Sequence, residues 1–300
     1  MISWLVVIIL SYFFFSMAFL CDKLVLSGPP KPKSYTFFVG ALGGLIIFLA
    51  PFAEITFLNA TELTFVFLEA AAYVLGLYIM YSAFERFDVS KVMVTVGATQ
   101  PIFILVLTWL FWGFNAVSKK EVLAFAMLLA ATIIISSGKK TKASRGYLKI
   151  TILASLIFSL DCVFQKYVFL TQPFLAGFIW MRMAAFLFVL LFLFSRKSRK
   201  EILQKHTVFN KKSVVPFLGS QTSGGLANIL QSFAISLAPV GVLPIINSLR
   251  GIQYVFLFVM ALFFSFFFPK ILKEEISKAV IIKKIVSLIF IAAGLAILVL

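Results

Sequence analysis

Four basic side chains stand inside apolar stretches of this sequence: Lys23, Lys166, Arg182 and Arg250. A charge at the centre of a bilayer costs about 2.5–3.5 kcal/mol on insertion scales, so each needs a partner, water or a ligand. Arg250 belongs to the richest constellation. Asn247, Arg250 and Tyr254 recur at three- and four-residue spacing, which places them on one face of a helix. Gln221, Gly225, Asn228 and Ser232 repeat at four, three, four, and a glycine on such a face lets another helix or a ligand approach. A guanidinium among amides is suited to a carboxylate or a zwitterion. Glu69 and Tyr73, four residues apart, are expected to complete this site. There Glu69 serves either as Arg250's partner beside a ligand or as a purely structural counter-ion. Glu69 is also the best-placed carboxyl for binding a proton.

The two lysines pose a different question. "FSMAFLCDK" ends at Lys23 and "FSLDCVFQK" at Lys166, each lysine seven residues after its serine, Ser16 and Ser159. At about 100° per residue, Tyr12, Ser16 and Lys23 share one helical face, and Ser155, Ser159 and Lys166 share the matching one. Two readings stand side by side. Either these stripes line a water-filled space with a lysine gate at each mouth, or the lysines snorkel from helix ends to the interface. Asp161 and Arg182 have a simpler reading. Asp161 precedes the hairpin near Pro173 by about as many residues as Arg182 follows it, so a structural ion pair at equal depth is expected.

The elements that must position these residues are apolar throughout. Of the residues, 62% are hydrophobic and 13% charged, with mean hydropathy +1.08; soluble domains lie nearer half and a quarter. Ten apolar runs are long enough to cross a bilayer: 2–26, 35–53, 64–84, 90–112, 121–137, 147–170, 173–194, 213–237, 239–267 and 281–300. They are continuous rather than alternating, so they read as helices and not as barrel strands. The expected fold is an all-α membrane protein of ten transmembrane helices. The chain also repeats itself. A shift of 143 lays Phe15, Ser16 and Lys23 on Phe158, Ser159 and Lys166; shifts of 151 and 162 lay 83–106 on 234–259 and 128–135 on 290–297. This divides the chain into five-helix repeats, 1–144 and 145–300. An odd number of helices turns the second repeat over, the inverted plan of many secondary transporters.

The net charge of +16 does not point to nucleic acid. The odd-numbered loops and their edges carry 21 Lys and Arg, whereas the even-numbered loops carry two, Lys119 and Lys120. That asymmetry orients a chain in a membrane, with both termini outside and the basic loops at the anionic inner face. "MISW" does not read as the start of a signal peptide. Cys21 and Cys162 lie in apolar runs and read as free thiols. His206, the only histidine, falls in a basic loop. No metal-ligand cluster, phosphate loop, nucleophile elbow or catalytic carboxylate pair is written in the sequence. An enzyme, a metal and a cofactor are therefore not expected. Nothing in the sequence decides between a monomer and a homodimer.

Three segments carry a family resemblance: "YSAFERFDVSKVMVTVGATQPIF" (81–103), "LAPVGVLPIINSLRGIQYVF" (237–256) and "FFPKILKEEIS" (267–277). With the ten-helix pattern they resemble the EamA family of the drug/metabolite transporter superfamily. Pro101 matches that family's proline in the fourth helix, whereas Ile252 stands at the second equivalent and Pro244 lies earlier. "WGFNAVS" (112–118) lacks the glutamate of the family's turn. The resemblance implies a multi-pass exporter or exchanger in the plasma or inner membrane, though such proteins are commonly drawn with cytoplasmic termini. The expected substrate is a small polar or amphiphilic metabolite, anionic or zwitterionic. Two further readings stay open: a flippase for a lipid-linked intermediate, and a non-transporting scaffold or sensor whose interior polar groups would all be paired.

Overall fold

The computed structural model describes residues 3–25, 32–87, 89–136, 145–203, 214–267 and 278–299. Among them there are α-helices, 3-10 turns and no strands. The helices are α1 (Ser3–Val25), α2 (Pro32–Gly43), α3 (Ala60–Arg86), α4 (Val89–Trp112), α5 (Lys119–Ser136), α6 (Arg145–Thr171), α7 (Phe174–Leu190), α8 (Arg196–Leu203), α9 (Val214–Leu237), α10 (Leu243–Ser248), α11 (Arg250–Phe267) and α12 (Lys278–Val299). Among the described residues, seven segments are long and apolar enough to cross a membrane: Ser3–Cys21, Pro32–Phe52, Ala60–Arg86, Lys91–Trp112, Arg145–Thr171, Phe174–Phe194 and Val240–Met260. The other three runs coincide with α5, α9 and α12. Of these, α5 begins with Lys119, Lys120 and Glu121, and α9 carries Gln221, Thr222 and Asn228. Leu110, Phe194 and Ile289 are largely exposed while Ser11, Ser16, Glu69 and Thr132 are fully buried. An apolar exterior over a partly polar interior is what hydrocarbon around a protein requires. The chain is an all-α, membrane-embedded protein.

The helices gather into two compact units, one of α1, α5 and α9–α12 and the other of α2–α4 and α6–α8. Each unit draws helices from both sides of the 144/145 boundary. In the first unit α1 packs along α9 and α11, and α5 packs along α12 and against α10 and α11. Its buried side chains include Ile8, Tyr12, Leu128, Leu243, Ile245, Ile246 and Leu249. Helix α5 begins with a capping box: the Glu121 amide bonds the Ser118 hydroxyl at 3.3 Å and the Ser118 amide bonds Glu121 Oε2 at 2.6 Å. The 3-10 turn Val240–Val242 settles against that cap, where only Gly241 fits.

In the second unit α3 packs on α6 and α7, and α2 on α7, α3 and the short basic α8. Gly76 allows α3 its approach to α6: a Cβ there would lie 2.9 Å from Phe158 Cε1. The amino end of α3 is closed by a capping box between Asn59 and Glu62. Gln172, in the α6–α7 hairpin, donates to Glu62 Oε1 at 3.1 Å and accepts from the Thr56 hydroxyl at 2.7 Å. The hairpin is thereby fastened to the start of α3, which sets the height at which α3, α6 and α7 face one another. Pro101 lies inside α4, so the Gly97 carbonyl lacks its helical donor. The segment "FFPKILKEEIS" lies outside the described residues except for Phe267, the last residue of α11.

Candidate functional site

Two polar centres stand out, one in each unit. In the first unit the ninth apolar run is not a continuous helix. It consists of the turn Val240–Val242, then α10, a turn at Leu249, and α11. At this turn the Ile252 amide bonds the Leu249 carbonyl at 2.9 Å, three residues back instead of four. The displaced Ser248 carbonyl accepts from the Thr132 hydroxyl of α5 at 2.8 Å. One turn earlier the Ile246 carbonyl accepts from the Tyr12 hydroxyl of α1 at 2.7 Å. Side chains of two neighbouring helices thus satisfy carbonyls around an irregularity that lipid would not tolerate unpaired. Gly251 makes room for α5, since a Cβ there would lie 2.9 Å from Thr132 Oγ1.

Asn247, Arg250 and Tyr254 flank this turn. Asn247 is buried, with its amide 3.5 Å from the Leu243 carbonyl. Arg250 and Tyr254 are half-buried and interact electrostatically. Gln221 and Asn228 are half-buried on α9 of the same unit, and Gly225 is exposed with nothing within 4 Å of a Cβ built on it. The structure therefore keeps these five predicted binding residues in one unit. Two surface clefts, one lined by Val255, Phe258 and Lys284 and the other by Glu62, Phe65 and Tyr167, include none of them.

Glu69 and Tyr73 fall in the second unit, and Glu69 has a different partner from the one expected. The Glu69 carboxylate accepts a charge-assisted hydrogen bond from Arg182 Nη2. The Arg182 guanidinium lies over the Tyr73 ring, 3.8 Å from its centroid, with Phe178 5.4 Å away. Asp161 and Gln165, one turn apart on α6, stand against the Glu69 carboxyl. The expected pairs Asp161–Arg182 and Glu69–Arg250 are thus corrected: the contact runs from Arg182 to Glu69, and Asp161 joins as a third charged group. The reason is rotational. The α6–α7 hairpin fixes the relative height of Asp161 and Arg182, but α7 turns its arginine toward α3. Glu69 is fully buried and Arg182 is 3% exposed, whereas Asp161 and Tyr73 are half-buried. Glu69 Oε2, Asp161 Oδ1, Arg182 Nε and Arg182 Nη1 are enclosed without a hydrogen-bond partner among the described residues.

The predicted gate residues are also located. Ser16 and Ser159 are fully buried. Ser16 donates to the Tyr12 carbonyl at 2.7 Å and to the Gln253 carbonyl at 2.9 Å. Ser159 donates to the Ser155 carbonyl at 2.7 Å and to the Gln100 carbonyl at 3.1 Å. Both serines tie helices together rather than line open space, and the same contact occurs once in each unit. Lys166 is 3% exposed, so its ammonium is enclosed by protein and does not snorkel out along the surface. The side chain of Lys23 lies outside the described residues. Cys21 and Cys162 are free thiols. Sequence reading missed Gln165 beside Glu69 and the glutamine pair Gln100 and Gln253. The four-residue step from Asp161 to Gln165 was the available signal for the first.

No family model matches the chain, and no curated protein matches it. A solved crystal structure of a protein is similar over 98% of this chain and 96% of its own, with a TM-score of 0.65 and 16% sequence identity. At that identity the likeness shows a shared fold and no more.

Proposed function

We propose that this chain is a secondary transporter, an exporter or exchanger of small anionic or zwitterionic metabolites, of the EamA type. It has ten membrane-crossing helices arranged as inverted repeats over 1–144 and 145–300, and it works by alternating access in the plasma or inner membrane. Arg250, Asn247, Tyr254, Gln221 and Asn228 contact the substrate. Lys166 and Lys23 serve opposite mouths.

The observation that carries this reading is the interrupted helix at Leu249. Broken helices at membrane depth recur where transporters bind substrate, because freed backbone groups and nearby side chains can face a ligand. Here the break adjoins a guanidinium, an amide and a phenol. The recurrence of the Ser16–Gln253 contact as Ser159–Gln100 supports the repeat. The enclosed, incompletely paired atoms of Glu69, Asp161 and Arg182 weigh against a scaffold, whose interior would be fully satisfied.

The test is thermal unfolding of the purified full-length protein with amino acids and small carboxylates. At least one of these should raise the Tm of the wild type and leave that of Arg250→Gln unmoved. A shift that persists in Arg250→Gln would remove Arg250 from the site, and no shift by any of them would remove the substrate class.

A further inference from the structure

The second polar centre has a charge imbalance that the binding reading does not use. Among the described residues, the charged and titratable groups around it are Glu69 and Tyr73 on α3, Asp161 on α6 and Arg182 on α7. On α2, Gly43 lies beside the arginine side chain, with a Cβ built there 3.8 Å from Arg182 Cδ. Two carboxyls therefore meet one guanidinium. Fully ionised, the group carries one negative charge in a place where Glu69 is fully buried and Arg182 nearly so. Low-dielectric surroundings do not hold an uncompensated charge; a group there neutralises by taking a proton.

The hydrogen-bond pattern leads to the same conclusion. Glu69 Oε1 is occupied by Arg182, while Glu69 Oε2 and Asp161 Oδ1 are enclosed without a hydrogen-bond partner among the described residues. A proton held between the two carboxyls adds a donor there, because an ionised carboxylate accepts and never donates. When two neighbouring carboxyls share one proton, the proton belongs to the pair. The guanidinium, held against Glu69 and over the Tyr73 ring, stays charged throughout and balances the remaining carboxylate.

We propose that Glu69 and Asp161 form a proton-exchange site, neutral with one proton bound and singly negative without it. The proton leaves a carboxyl oxygen for water and returns from water. Asp161 and Tyr73, both half-buried, form the edge through which it passes. Losing the proton creates an unbalanced charge, so release requires that this edge be wet. Proton binding is thereby linked to whichever conformation admits water. If the transport reading holds, on which this last step rests, the proton is the coupling ion.

The experiment is infrared difference spectroscopy of the full-length protein in lipid nanodiscs, titrated with acid and base. The wild type should show one protonated-carboxyl C=O band that disappears as pH rises. Asp161→Asn and Glu69→Gln should each abolish or displace it, whereas Glu54→Gln, on an exposed residue, should leave it in place. A wild type without such a band, or a band identical in the Asp161 and Glu69 variants, would overturn the proposal. The wild-type titration decides even if a variant does not fold. Proton movement is then followed in liposomes under an imposed pH gradient. A titrating band without proton movement would leave the exchange site standing and count against transport.

Discussion

At the residue scale, the arginine of α7 illustrates what a linear pattern can and cannot give. Equal spacing from the hairpin places Arg182 level with Asp161, and both do belong to one cluster. Spacing along two helices says nothing of a third, and it leaves Glu69, more than ninety positions away in the chain, to pair with Arg250. Packing of α3 on α6 and α7 decided the matter. The contact should be strongly coupled. Removing one member of a buried pair strands the other and costs about 3–5 kcal/mol, whereas removing both can be nearly neutral. Arg182→Met is therefore expected to lower the unfolding free energy by roughly that amount, ~3–5 kcal/mol. The double variant Glu69→Gln/Arg182→Met should lose much less than the sum of its single variants. Chemical unfolding of the four proteins in one detergent measures the coupling. Additive losses would mean that the two side chains act independently.

Elements were more legible than their interruptions. Run length and hydropathy locate every described long helix, because a membrane-spanning helix needs many consecutive apolar residues and little else. The turn at Leu249 was hidden because Ile245, Ile246, Leu249 and Ile252 keep the run apolar across it. What permits the turn is hydroxyl donation from Tyr12 and Thr132, residues far away in the chain. Glycines show the same limit. The spacing in α9 marks Gly225 as a point of close approach, whereas in the structure it faces open space and Gly241 is the confined one. A methyl at Gly241 would run into the Ala116 carbonyl oxygen and the Glu121 carboxylate that caps α5. Gly241→Ala should therefore destabilise by ~1–3 kcal/mol, as overpacking does. Gly225→Ala, inside α9, should be neutral or stabilise by up to about 1 kcal/mol, since alanine favours helix. Tm values of the two variants should fall on opposite sides of, or at unequal distances from, the wild type. Equal losses would show that backbone space is not what distinguishes the two sites.

For the whole molecule, the repeat and the compact units answer different questions. Self-similarity records order along the chain, so it divides the sequence near 144. Packing records which helices bury one another, and it groups α1 with α9 and α6 with α3. No shift of the sequence against itself contains that information. Even the register differs slightly: a shift of 151 sets Gln100 against Gly251, while the matching hydrogen bond falls on Gln253. Orientation, by contrast, rests on charge alone. The odd-numbered loops hold 21 basic residues against two in the even-numbered ones. Each basic residue near the anionic cytoplasmic leaflet contributes about 1 kcal/mol of attraction, and translocating such loops is disfavoured. The basic loops should therefore lie inside and both termini outside. A phosphatase that is active only outside the cytoplasm, fused after Leu300, should be active. The same enzyme inserted beside Lys205 should be silent. The reverse pair of results would show that the chain inserts against its own charge, with cytoplasmic termini.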